Sequence, residues 1–213
     1  MLFSSDSVPA LTGALLLSIT ATATADLLPG YAVGEGDATS RFSIDFEESG
    51  GDAYTFVYRY DSATAPTTAE ALAEIDAAGG LDVFTTEFSF GTALDGFAFD
   101  GNAEAPGFDA VTGRFWEYFV QGGSQLLFGA TEPAPVADAA LTAASVGISD
   151  RFLADGSIDG FVVNVSAFVE GVTPTDRVPA GPLPAAEVPA IPEPATAGLL
   201  AAGGLVLLRR RVV

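Results

Sequence analysis

The chain has 213 residues, enough for one ordinary domain with terminal segments and too few for a second full domain. Its 28 acidic residues oppose 8 basic ones, all of them arginine, and the resulting charge of -20 repels phosphate backbones, so nucleic acid is excluded as a partner. There is no Cys and no His, and Lys is absent too, which removes disulfides, thiolate and imidazole metal sites, the commonest general base and Schiff-base chemistry.

The first element is a short apolar run, Leu11 to Ile19, followed by the small residues Ala23, Thr24 and Ala25. Such a run is too short to span ~30 Å of hydrocarbon, and small side chains at Ala23 and Ala25 suit a signal peptidase, so cleavage before Asp26 is expected. Met1 to Ala10 carries Asp6 and no positive side chain, unlike an ordinary signal n-region. A buried strand or helix of the domain is the competing reading of this segment.

The body begins with Arg41 to Glu48, in which Phe42, Ile44 and Phe46 alternate with polar neighbours. Period-two alternation puts the apolar set on one face of a half-buried strand. Tyr54 to Tyr60 is its expected hairpin partner across Ser49-Gly50-Gly51-Asp52. Thr67 then offers a helix cap with Glu70 three residues on, and Ala69, Leu72, Ala73 and Ile75 follow helical spacing until Gly79-Gly80. Strands are expected again over Leu81 to Phe90, near Phe97 to Phe99, over Gly113 to Val120, and over Gly160 to Phe168 after the turn Asp155 to Asp159. Ala130 to Ala144, rich in Ala and Pro, reads as an exposed loop, and Gly171 to Ala190 reads as a linker or stalk. The expected fold class is mainly β, α+β with one short helix: a small antiparallel sheet domain over 26–170, between a signal peptide over 1–25 and a linker over 171–190.

Taken in order, TTAEALAEIDAAGG, DGFAFDG, GRFWEYFVQGG and LADGSIDGFVV resemble the transcobalamin C-terminal-like domain of secreted bacterial proteins, over Thr67 to Val165. The resemblance implies a short helix followed by a strand, a Trp-Tyr strand and a closing strand. The helical companion that encloses a corrin in transcobalamin is missing, so no cofactor is expected.

Two clusters in the body are candidate sites. Asp155, Ser157 and Asp159 have the i, i+2, i+4 spacing with which calcium loops present oxygens, but the twelfth position is Ser166 and a plain turn explains the same residues. Trp116 and Tyr118 share one strand face, where they either fill a core or form an aromatic strip for a small ligand or a sugar ring. No pair of carboxylates stands out for glycoside hydrolysis. No catalytic residue is expected.

The C-terminus carries three elements in order: Pro192-Glu193-Pro194, the apolar segment Ala195 to Leu208, and Arg209-Arg210-Arg211. The proline-flanked glutamate is stiff and extended, the apolar segment makes a short transmembrane helix, and the arginines stop transfer on the cytoplasmic side. The run IPEPATAGLLAAGGLVLLRRR, within 191–213, closely resembles the PEP-CTERM sorting signal. That resemblance implies recognition by an exosortase-like membrane peptidase after a signal peptidase has acted, with a transient inner-membrane intermediate. It also implies release or attachment at the surface of a Gram-negative-type bacterium, in company with exopolysaccharide. The function expected from sequence is therefore an exported, non-catalytic structural or adhesive component of envelope or biofilm matrix, the alternative being a ligand- or glycan-binding module built on Trp116.

Overall fold

A computed structural model describes residues 27–191, apart from 47, 49, 50, 90, 105 and 106. The expected signal with Ala23, Ala25 and Asp26, and the sorting tail with Pro192 to Pro194 and Arg209 to Arg211, lie outside the described residues.

Aromatic and β-branched residues at alternating positions build the central sheet. Strands β1 (Leu27–Gly34), β2 (Ala38–Asp45) and β3 (Ala53–Tyr60) are followed by the helix α1 (Thr68–Ala78), the hairpin β4 (Asp82–Phe88) and β5 (Gly91–Phe99), and the short β6 (Asn102–Glu104). Next come β7 (Arg114–Gln121), the two-residue strands β8 (Ser124–Gln125), β9 (Ala134–Pro135), β10 (Thr142–Ala143) and β11 (Arg151–Phe152), and finally β12 (Ile158–Val165). Six of these pair in the order β1-β3-β2-β12-β7-β10, while β11-β8-β9 and β4-β5-β6 form two small three-stranded sheets.

The hairpin read from the sequence is present, with Phe42 opposite Phe56 and Ile44 opposite Tyr54. The main sheet is mixed, however, where an antiparallel one was expected. β1 runs parallel to β3 and β12 runs parallel to β2. Parallel neighbours come from distant parts of the chain and need long connections, so no local turn announces them. The strand expected near Phe97 to Phe99 extends back to Gly91, and the last strand starts two residues earlier than expected and stops at Val165. Ala130 to Ala144 is largely exposed, as the loop reading required, with β9 and β10 inside it.

One face of the sheet carries the core. Phe42 and Ile44 from β2 with Phe46 just after it, Tyr54, Phe56, Tyr58 and Tyr60 from β3, and Phe161 from β12 are buried there with Ala71, Leu72 and Ile75 of α1 and Phe97 of β5. Each such large side chain contributes roughly 1.5–3 kcal/mol on burial. The helix starts with the capping box expected from sequence: Thr67 accepts from the Glu70 N–H at 3.2 Å and Glu70 Oε2 accepts from the Thr67 N–H at 2.8 Å. Tyr31 ties β1 to the far end of α1, its hydroxyl donating to the Ile75 carbonyl at 2.8 Å and accepting from the Leu81 N–H at 3.0 Å.

The opposite face is covered by most of the segment expected to be a linker or stalk. Residues 175–191 cross the strands nearly in sheet order, touching β12, then β2, then β3 and finally β1. The Thr175 N–H donates to the Val165 carbonyl at 3.0 Å, Ser43 Oγ donates to the Ala180 carbonyl at 2.7 Å, and the Leu183 N–H donates to Thr55 Oγ1 at 2.9 Å. Val188 then packs with Ala32 and Val57. At the sheet edge the Ala32 N–H donates to the Pro189 carbonyl at 2.8 Å, and the Ile191 N–H donates to the Ala32 carbonyl at 3.3 Å. The stalk expectation is thus corrected: this is a strap, held because its own partners are buried polar groups that would otherwise lack hydrogen bonds.

Candidate functional site

Trp116 and Tyr118 point from β7 toward the core face. Trp116 meets Phe46 and Phe97 in T-shaped contacts with centroids 5.3 and 5.0 Å away, and its Nε1–H donates to the Glu104 carbonyl at 3.1 Å. Tyr118 stacks on Phe161 at 4.7 Å with the rings nearly parallel. Both residues are half-buried.

The Tyr118 hydroxyl donates to Asp159 Oδ2 at 2.5 Å, and Thr68 Oγ1, at the first turn of α1, donates to the same oxygen. Asp159 Oδ1 accepts from Arg151 Nη2 at 3.0 Å and from Nε at 3.2 Å, and both members of this ion pair are wholly buried. Arg151 spends its other donors on the carbonyls of Phe152, Gln121 and Ser124. Gly123, with φ +63°, lies so close that a β-carbon there would stand 2.2 Å from Arg151 Nη1. A buried pair with its donors satisfied on every side locks β11, β12, β7 and α1 together. Burial, followed by the Asp159 charge, pushes the Tyr118 hydroxyl well above its ordinary range.

The three oxygens considered for calcium are directed to separate tasks. Asp155 Oδ1 accepts from the Thr39 N–H at 2.9 Å, Ser157 Oγ bonds to Ser40 Oγ at 2.8 Å, and Asp159 is neutralised by Arg151. The geometry is that of a turn stapled to β2, and among the described residues no cluster of three or more acidic side chains is placed to hold a metal.

Sequence reading passed over the second sheet face. Ser43, Asp45, Thr55 and Asn164 alternate with apolar residues and look like a solvated face, yet each is almost completely buried. They hold the strap. Asn164 Oδ1 accepts from the Arg177 N–H at 2.9 Å, Arg177 Nη2 lies 3.3 Å from Asp45 Oδ2, and Pro179 rests on Gly160. The available signal was compositional, a run of short polar side chains on neighbouring strands, and it cannot be separated from ordinary exposure until the neighbour is known. The strap delivers the chain to the edge of β1 at Ile191, whose side chain packs against the main core and lines a groove with Val33, Gly34, Ala77 and Ala78.

A scan against family models, a search of curated proteins and a search of solved structures each find no match to this chain.

Proposed function

We propose that this chain is an exported protein, trimmed by a signal peptidase and an exosortase-like membrane peptidase. In this reading its β domain serves as a non-catalytic structural or adhesive module of the envelope or extracellular matrix. It passes through an inner-membrane intermediate and ends secreted or attached at the surface of a Gram-negative-type cell, where exopolysaccharide is its partner.

The observation that carries the reading is the order of three elements directly after Ile191: Pro192-Glu193-Pro194, the apolar segment Ala195 to Leu208, and Arg209 to Arg211. Each serves a membrane handle: a rigid extended motif to be read, a short span, and a cytoplasmic stop. The body supports the non-catalytic part. Its most deeply placed acid, Asp159, is paired with Arg151 and bonded by Thr68 and Tyr118, an arrangement that serves the fold.

The test is a reporter fused to residues 191–213 and expressed, behind a signal peptide, in a cell that encodes an exosortase-like peptidase. Arrival outside the cell with the apolar segment and arginines removed is the expected outcome. Retention inside, or export of the reporter with the tail still attached, refutes the proposal.

A further inference from the structure

We infer that the outer edge of β4 is a pairing surface for a second copy of this chain, the two β4 strands running antiparallel about a two-fold axis at Thr86 and continuing the β4-β5-β6 sheet across the pair. This goes beyond the sorting reading above and does not depend on it.

β4 reads DVFTTEF, and Val83, Phe84, Thr85, Thr86 and Phe88 are strong strand formers. It ends its sheet, and among the described residues β5 is the one strand that pairs with it. An outer strand leaves a row of backbone N–H and C=O groups open, and proteins usually guard such an edge with a proline, a lysine, a bulge or a covering segment. The other long outer strand, β1, is guarded by the strap, whose Ala190 bridges to Ala32. β4 holds neither Pro nor Lys, and six of its seven residues are exposed. Its register shift, between Phe84 and Thr85, places the extra residue, Asp95, on β5 and leaves β4 itself regular. Phe84 is 39% and Phe88 47% exposed, and period-two alternation puts both on one face.

The order Phe84-Thr85-Thr86-Glu87-Phe88 selects the occupant. Antiparallel pairing about Thr86 sets Phe84 opposite Phe88 of the second copy, Thr85 opposite Glu87 of the second copy, and the two Thr86 residues opposite each other. Aromatic pairs and Thr–Thr pairs are among the favourable cross-strand neighbours, whereas like charges directly opposite are not. No acid meets an acid in this ladder, and Glu87 is drawn back toward its own hairpin by Thr92, whose hydroxyl donates to Glu87 Oε1 at 2.7 Å. A two-fold contact uses both edges at once, so the assembly closes at two copies. The opposing effect is long-range, because each copy carries a charge of -20. One strand ladder is also small beside a standard interface of roughly 1,600 Å², so the contact is reversible and strengthens with local concentration and with salt.

The chain has no Cys, so a single introduced thiol reports on its own neighbourhood. At the axis the two Cα atoms of residue 86 stand roughly 4.5–5.5 Å apart, within the span a disulfide bridges, while the two copies of residue 85 lie beyond it. The experiment oxidises full-length Thr86→Cys, Thr85→Cys and Val111→Cys in detergent micelles at ~0.01 M and ~0.15 M sodium chloride, Val111 being an exposed residue outside the strands. Thr86→Cys is expected to form a covalent dimer several-fold faster than the other two, with the larger margin at the higher salt. Adding either Phe84→Asp or Phe88→Asp to it should bring the rate down to theirs while circular dichroism shows the sheet intact. Equal rates in the three variants, the result that association through the tails alone would give, overturn the inference and leave the edge to a strand of another protein. A fast rate that survives both aspartate substitutions, or a Thr85→Cys rate above that of Thr86→Cys, overturns it as well.

Discussion

Arg151 and Asp159 show how one residue pair organises its surroundings. Neither side chain touches water, and their hydrogen bonds reach β7, β8, β11 and the start of α1. Removing one partner leaves the other charged and buried, so Arg151→Ala is expected to cost about 3–5 kcal/mol in urea unfolding. Exchanging both for apolar residues of similar volume should recover most of that loss. The tyrosines make a second residue-scale prediction. All five, Tyr31, Tyr54, Tyr58, Tyr60 and Tyr118, are held above their ordinary value of 10.0, with burial the first cause in each, and Tyr58 reaches about 12 with Glu74 adding to the effect. A group that binds its proton more tightly when folded contributes stability that is intact below its unfolded value and lost as pH rises through the folded one. Stability should hold up to pH 10, then fall as pH rises toward 12 and beyond. Tyrosinate absorbance should appear together with loss of the sheet, and smooth titration of a folded protein would refute this.

The elements differ in how far the sequence announces them. The β2 and β3 hairpin, α1 with its Thr67 box, and β7 all rest on local signals: alternation, a cap three residues before a carboxylate, a two-faced aromatic run. These were legible, as was the core face of β2. The mixed character of the sheet was not, because parallel partners β1 and β3, or β2 and β12, carry no shared turn. The candidate sites were legible only as inventories. Asp155, Ser157 and Asp159 had the spacing of a calcium loop, but Arg151, which decides the role of Asp159, sits on another strand. The strap was misread because Pro- and Ala-rich composition describes a flexible linker as well as an extended segment pinned by someone else's side chains. Gly160 records that contact. A β-carbon there would come within 2.5 Å of the Pro179 ring, which is rigid and cannot swing aside. Gly160→Ala should therefore lift the strap from β12, lower stability by about 1–3 kcal/mol in denaturant titration and speed proteolysis within 175–190.

For the whole molecule, the dominant long-range term is charge. The chain carries -20 overall, and three of its eight arginines lie in the tail, so loss of that tail makes the remainder more acidic still. Self-repulsion of this size destabilises the compact state and is screened by salt, whose Debye length shrinks from ~30 Å at 0.01 M to ~8 Å at 0.15 M. The thermal midpoint should accordingly rise over that range of sodium chloride. A flat or falling midpoint would mean that the acids are dispersed widely enough to ignore one another.

The returning strap has one more consequence at its contact with Ala32. An unoccupied outer strand offers its backbone to any neighbour that brings a matching one, and on a crowded surface the nearest such neighbour is an identical molecule. Here that position is taken by the chain's own Ala190, and Pro189 beside it lacks the N–H a further strand would want. Crowded copies can therefore sit flank to flank at this rim without knitting into a continuous fibre, and each keeps its own boundary.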